Sequence, residues 1–269
     1  MPERPDLIGW SGIRASNVTI INISDDIRLN INCHYDVAMT CVHAKDTNLW
    51  RLPEHALAYL AQADEIPHRA EGEATLLECL PAIVTSVLDL GNGDGRLLAL
   101  VRLVHPQALG VALDFSHAMI ERLRTRFAND PSVSIVQHDL DTAFPSFDCP
   151  FDAVVSSFAI HHLAHARKRT LYREIFERLA PGGAFCNLEH VASATPLLHE
   201  RFLDRLGIGI GEEDPSNKLL DVETQLSWLR EIGFADVDCH WKWRELALLA
   251  GVKPLTPCAA ASVPAAGAH

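Results

Sequence analysis

From about residue 50 to residue 253, short continuous apolar runs take turns with longer stretches in which apolar side chains return every third or fourth position. The first kind of run predicts strands buried on both faces, the second amphipathic helices, and their alternation predicts βα units around a parallel sheet. Glu54 to Ala63 and Gly72 to Leu80 read as leading helices. Ser86 to Leu90 is the first strand, and a helix from Arg96 to Leu103 follows. Leu109 to Asp114 is the second strand; its helix has Ser116 at the N-cap, Met119, Ile120 and Leu123 inward and Asn129 near its end. Val133 to Gln137 and Phe151 to Ser157 are strands three and four. A helix from about His165 to Leu179 then buries Leu171, Ile175, Phe176 and Leu179, and Pro181-Gly182-Gly183 stops it before a fifth strand, Ala184 to Glu189. Thr195 to Leu206 is helical in pattern. Asp221 caps a helix carrying Val222, Leu226, Leu229 and Ile232 that ends at Gly233. Phe234 to Trp241 and Leu246 to Val252 are strands joined by too few residues for a parallel crossover, so they are antiparallel.

The two ends differ in character. Residues 1–48 alternate at Val18, Ile20, Ile27, Leu29 and Ile31, and two readings stay open: a hairpin turning at Asp25-Asp26, or an extension outside the fold, with Met39 as an internal start. Residues 254–269 are small, Ala-rich and broken by proline, which predicts a mobile tail. Residues 49–253 form the expected domain. With 269 residues, 48% of them hydrophobic, the chain can bury a sizeable core. A net charge of −12 argues against general nucleic-acid binding or adhesion to anionic membranes and favours a small-molecule partner. No basic leader precedes an apolar stretch, and no apolar run reaches the ~18 residues of a membrane span, so the expected location is cytoplasmic. The seven cysteines form no CxxC pair, which fits a reducing compartment without structural disulfides. Only His161, His162 and His165 have metal-like spacing among the histidines, and no HExxH or Cys/His set accompanies them; no metal is expected.

The most informative segment is VLDLGNGDG, residues 87–95, where a strand runs into three alternate glycines and then a helix. That order places backbone N–H groups and a helix N-terminus at the carboxyl edge of the sheet, where open α/β folds bind ligands. The dinucleotide fingerprint is GxGxxG, whereas this loop is GxGxG with Asp89 just ahead of it. An acid there opposes a pyrophosphate and suits S-adenosylmethionine (SAM), which carries an ammonium and a sulfonium but no phosphate. Asp114, at the end of strand two, can accept from ribose hydroxyls; Asp139, after strand three, can accept an adenine amine while Leu140 covers the ring. Three acids at the ends of three successive strands carry more weight than any one alone.

VLDLGNGDG, ALDFS, QHDL, FDAVVSSFAIHHL and LAPGGAFCNLEHV, in that order, resemble the class I SAM-dependent methyltransferases from about Trp50 to Lys253. The resemblance implies a Rossmann-like, doubly wound, seven-stranded α/β sheet of order 3-2-1-4-5-7-6 with an antiparallel last strand. It also implies SAM as cofactor: Asp89, Gly91 and Gly93 around the methionine part, Asp114 at the ribose, Asp139 and Leu140 at the adenine, and Ser157 on the lip of strand four, with Asn92 and Phe115 also among the cofactor-binding residues. Asn92 stands where relatives often have Cys, Thr or Ser. The expected reaction is in-line methyl transfer to a small-molecule acceptor, in which alignment and desolvation supply much of the acceleration. Where a base helps, His161 and His162 after strand four and His190, beside Glu189, after strand five are the candidates. The stretch from Leu197 to Phe234 falls where such enzymes build a substrate lid; Gly207, Gly209 and Gly211 make it movable, and Glu212, Glu213 and Asp214 make its mouth acidic. Trp241 and Trp243 read as packing or as an aromatic wall. The C-terminal third is also similar to carboxy-SAM synthase, a SAM-modifying enzyme of tRNA modification, although only Lys218 is basic between Gly211 and Leu220. A non-catalytic SAM-binding protein is the third reading.

Overall fold

The computed structural model describes residues 52, 54–56 and 66–255. The expectations for residues 1–48, for the rest of the helix at 54–63, and for the tail beyond Leu255 lie outside them. In chain order the elements are α1 (Arg69–Glu78), β1 (Ser86–Leu90), α2 (Arg96–Val104), β2 (Leu109–Asp114), α3 (His117–Arg126), β3 (Val133–Gln137) and β4 (Phe151–Ser157). A 3-10 turn, Ile160–His162, leads to α4 (His165–Arg178), β5 (Leu179–His190), α5 (Pro196–Leu206), α6 (Val222–Ile232), β6 (Ala235–Trp243) and β7 (Leu246–Val252). One seven-stranded sheet runs β3-β2-β1-β4-β5-β7-β6, with β7 antiparallel to both neighbours. The order expected from the resemblance is the order observed. Among the described residues no helix is long and apolar enough to cross a membrane.

Strand periodicity divides the core into two layers. Val87, Ala153, Val155, Ala184, Cys186, Leu188, Leu248 and Ala250 face α1, α2, α3 and α5, through Leu76, Leu97, Leu98, Val101, Ile120, Leu123, Phe202 and Leu203. The intervening Leu88, Val154 and Phe185 face α4 and α6, through Leu171, Tyr172, Ile175 and Leu229. Because the central strands are covered on both sides, they read as apolar runs; β6, at the edge, alternates strictly between half-buried and exposed positions. Trp241 and Trp243 sit on its half-buried side and pack against the first layer, with Trp243 4.7 Å from the His68 ring and 6.1 Å from Phe202. Packing, rather than an aromatic wall, is their role.

Local signals hold best at the last helices. Thr195 accepts from the Leu198 amide at the start of α5, Asp221 accepts from the Thr224 amide at the start of α6, and Gly233 ends α6 at φ +119°. Elsewhere local details differ from expectation, as at α1, which runs Arg69–Glu78 rather than Gly72 to Leu80. Ser116 is the N-cap of α3, but its hydroxyl makes no capping bond; its amide donates to Asp114 instead. The same helix stops at Arg126, short of Asn129. Leu179 belongs to β5, which starts before Pro181-Gly182-Gly183 rather than after it. Pairing jumps from Phe151↔Leu179 to Ala153↔Ala184, so residues between them bulge out, and the Gly182 amide and the Gly183 carbonyl are satisfied by Lys253 at the end of β7. A bulge satisfied by a distant strand leaves no local trace in the sequence.

Candidate active site

The carboxyl ends of β1, β2, β3 and β4 meet around one cavity of about 220 Å3. Every expected cofactor residue lines it: Asp89, Gly91, Asn92, Gly93, Asp114, Phe115, Asp139, Leu140 and Ser157. The parallel pairing Asp89↔Ala112 and Asp114↔Gln137 is what brings the acids of successive strands to one edge. Two glycines of the loop serve different ends. Gly91 has φ +61°, and a Cβ there would lie 2.2 Å from the Ala159 Cβ, so its smallness makes room for the turn after β4. Gly93 has φ +59° and no protein atom near where its Cβ would be, so that space belongs to the cavity it lines.

Asp89 is 1% exposed and burial pushes its carboxyl well above the usual range, against the bond it accepts from the Asn92 amide and the nearby Arg69. Asp114 accepts from the Gly93 amide at 2.9 Å and the Ser116 amide at 2.8 Å; burial still pushes it up to about 6. Asp139 is half-buried and accepts from the Asp141 amide at 3.0 Å. Buried polar atoms normally find partners. Here Asp89 Oδ1, Asn92 Oδ1 and Ser157 Oγ have none among the described residues, and all three residues line the cavity. Two orphaned acceptors beside an acid held high by burial suit a ligand that brings N–H donors and positive charge, which is what the methionine ammonium of SAM offers.

The sequence reading missed the cationic wall. Arg69 lines the cavity with its guanidinium 5.6 Å from the Phe158 ring centroid; Arg69 Nε donates to Glu73 Oε1 at 2.8 Å, and Arg96 donates to both Glu73 oxygens at 2.9 and 3.0 Å. Only the i,i+4 spacing of Arg69 and Glu73 could have hinted at this, and that spacing is common on any helix. Phe158 also went unnoticed. It holds φ +53° at the end of β4, a conformation that costs about 1–3 kcal/mol in a non-glycine residue, and its amide is tied to Leu188 O at 2.8 Å.

Beyond the cavity the histidines separate. His162 lines the donor space; its Nδ1 is 2.9 Å from Ser216 Oγ, and burial together with the neighbouring His161 takes it down to about 2. His161 turns the other way. Its Nδ1 lies 2.7 Å from Glu189 Oε1, and burial, followed by His190 and Lys168, holds it well below the ordinary imidazole range. Glu189 is fully buried, accepts also from Asn187 at 3.2 Å, and is pushed up by burial while Lys168 works against that. His190 therefore does not share the adjacent Glu189 through its ring: His190 Nε2 pairs with Glu245 Oε2 at 3.0 Å, and only its backbone amide bonds to Glu189.

Comparison with known proteins agrees with this geometry. Residues 87–183 match the family described as a methyltransferase domain. A demethylmenaquinone methyltransferase of Clavibacter sepedonicus is 33% identical over 198 residues, which cover 67% of this chain and 78% of that protein. A carboxy-S-adenosyl-L-methionine synthase of Klebsiella pneumoniae is 26% identical over 189 residues, 63% of this chain and 75% of that one. Among solved structures, an O-methyltransferase family protein from Burkholderia thailandensis has the same fold with a TM-score of 0.56 at 19% identity, over 70% of this chain and 56% of that one, so this chain spans little more than half its length. The chain belongs to the class I SAM-dependent methyltransferases, and SAM is its cofactor.

Proposed function

We propose that this protein moves the methyl group of SAM to a small-molecule acceptor by in-line displacement. The observation that carries the reading is the set of three orphaned polar atoms and three strand-end acids around one cavity. In this reading Asp89 and Asn92 hold the ammonium, Arg69 the carboxylate, Asp114 the ribose hydroxyls with Phe115 against the sugar, Asp139 and Leu140 the adenine, and Ser157 the lip nearest the transfer. The backbone of Gly91 and Gly93 leaves room for the methionine chain. When bound, SAM supplies an electrophilic methyl on a sulfonium, so the protein's contribution is alignment and exclusion of water.

On the acceptor side His161 fits a base best. Glu189 fixes its Nδ1 and leaves Nε2 as the acceptor; burial keeps the ring neutral at the expense of its basicity, so the proton it takes is one already loosened as the methyl arrives. His162, neutral throughout, positions the turn through Ser216, and His190 is pinned by Glu245 with its ring 5.6 Å from that of His161. Isothermal calorimetry should show binding of SAM and S-adenosylhomocysteine but not NAD, and mass spectrometry after incubation with SAM and a metabolite extract should show an acceptor heavier by one methylene. Equal binding of NAD would overturn the donor assignment. The likeness to carboxy-SAM synthase supports a second reading, modification of SAM itself. Against it, the one basic side chain in 211–220, Lys218, spends its ammonium on His162 O at 2.6 Å rather than on a carboxylate. A SAM-derived product with an added carboxylate would reverse that ranking.

A further inference from the structure

The buried side chains of α4 are Lys168, Leu171, Tyr172 and Ile175, so a lysine occupies a place in the i, i+3, i+4, i+7 stripe that normally goes to apolar residues. Lys168 is 0% exposed. Its ammonium donates to the carbonyl of Lys218, whose own amide donates to His161 O at 2.9 Å, so the lysine is tied to the histidine turn through one residue. A charge this deep is costly unless an opposite one lies near. Its counterpart is Glu189, also 0% exposed, the carboxylate that meets the His161 ring.

Two of the bonds at Glu189 can only be accepted ones, from the His190 amide at 2.9 Å and from Asn187 Nδ2 at 3.2 Å. The third, to His161 Nδ1 at 2.7 Å, can run either way. An ionised Glu189 accepts from Nδ1–H and leaves Nε2 bare; a protonated Glu189 donates to Nδ1, and the hydrogen of the neutral ring then sits on Nε2, which can take no proton. Burial pushes Glu189 up, toward the proton, and Lys168 is the foremost group working against it; burial takes Lys168 down to about 8, and Glu189 works against that in turn. The other charged or titratable groups around the pair are committed elsewhere. His162 meets Ser216, Asp214 accepts from the Ser216 amide, His190 pairs with Glu245, Tyr172 donates to Gln225 at 2.6 Å, and Lys218 Nζ donates to His162 O. Resting on the base assignment above, we propose that Lys168 is a positioning residue for methyl transfer: its buried ammonium keeps Glu189 an anion, and the anion holds His161 in the tautomer whose Nε2 faces the reaction bare.

Long-range proton–nitrogen NMR of the histidine rings in the full chain, with the His161 signals assigned by their loss in His161→Gln, reads the tautomer without any acceptor. Near neutral pH the unaltered chain should show Nδ1–H and a bare Nε2, and acidification should turn the ring to the other tautomer as Glu189 takes up its proton. In Lys168→Met that turnover should move to higher pH by about one unit or more, as expected when an opposite charge is removed from beside a carboxylate. Lys168→Gln still offers a donor to Lys218 O but no charge, and should shift as Met does; Lys168→Arg should bring the turnover back. The acid limb of kcat on an identified acceptor should follow the same shifts, with SAM affinity by calorimetry unmoved. Glu189→Gln supplies an independent arm: Lys168, followed through its own side-chain signals, should lose its proton at lower pH than in the unaltered chain. A hydrogen on Nε2 in the unaltered chain, an apparent acid constant within about twofold of wild type in Met and Gln, a Gln variant that keeps the wild-type turnover while Met shifts, or a Lys168 indifferent to Glu189→Gln overturns the proposal. Tautomer shifts as described in a chain that methylates no acceptor would instead remove the methyl-transfer reading and leave the Lys168 to Glu189 coupling in place.

Discussion

Asp114 offers the sharpest test of the donor cavity because burial and ligand binding pull its proton in opposite directions. In the free protein burial pushes its carboxyl up to about 6, well above the ordinary carboxylate range. A raised acid contributes stability that is fully present below its unfolded value and is lost as pH rises through the folded one. For a shift of about two units that contribution is about 3 kcal/mol, largest in acid and gone near pH 7. In the proposed complex the ribose hydroxyls would donate to the anion, so binding would favour the charged form, and free protein below pH 6 would have to release a proton to bind. At pH 5 only about a tenth of Asp114 is ionised, so the Kd for S-adenosylhomocysteine should be about tenfold weaker than at pH 8, or about 1.4 kcal/mol. Asp89, also raised by burial, adds to the slope in the same direction. Asp114→Asn separates the two. It should weaken binding at pH 8 by roughly 10- to 150-fold, the worth of one hydrogen bond to a charged group, and should remove one proton from the pH slope. Calorimetry from pH 5 to 8 in two buffers of different ionisation enthalpy measures both quantities. Parallel curves for wild type and Asp114→Asn, or affinity within twofold at pH 8, would refute the role given to this residue.

Gly91→Ala adds a Cβ 2.2 Å from that of Ala159 at φ +61°, so overpacking and left-handed strain together should cost roughly 2–5 kcal/mol. Thermal unfolding should show it as a fall in Tm of several degrees, and Ala159→Gly in the same chain should return the steric part; no rescue would mean the contact is not the cause. His161→Ala should lower kcat on the identified acceptor by about 10²- to 10⁴-fold while SAM affinity holds, and Glu189→Gln should lower it in the same direction; a change below fivefold in both removes the base from the mechanism. Asp221→Ala deletes the cap of α6, which accepts from the Thr224 amide at 2.8 Å, and should cost about 1 kcal/mol in denaturant unfolding with SAM binding unaltered.

What the chain encodes locally was legible from it. Periodicity revealed every described strand, all but β5 within two residues, because a strand covered on both faces is apolar nearly throughout, and Val87, Leu88 and Leu90 or Ala153 to Val155 have no other way to be buried. The glycine loop and the acids Asp89, Asp114 and Asp139 could be placed together for a related reason: each closes or follows a parallel strand, and parallel strands in register carry their ends to one edge. Partners far apart in the chain were decided only in three dimensions. Glu189 sits next to His190 in sequence, yet its carboxylate serves the ring of His161, 28 positions earlier, while His190 is claimed by Glu245, 55 positions later. Side chains of adjacent strand residues point to opposite faces, so neighbours in sequence are seldom neighbours in chemistry. The same holds for Arg69, which reaches the cavity only because α1 packs beside α2 and sets Glu73 against Arg96, and for His199, joined to Glu245 across 46 positions by the return of β7. The sequence determined which elements form and which of their ends can hold a nucleoside; sheet register and helix packing decided which charges meet there.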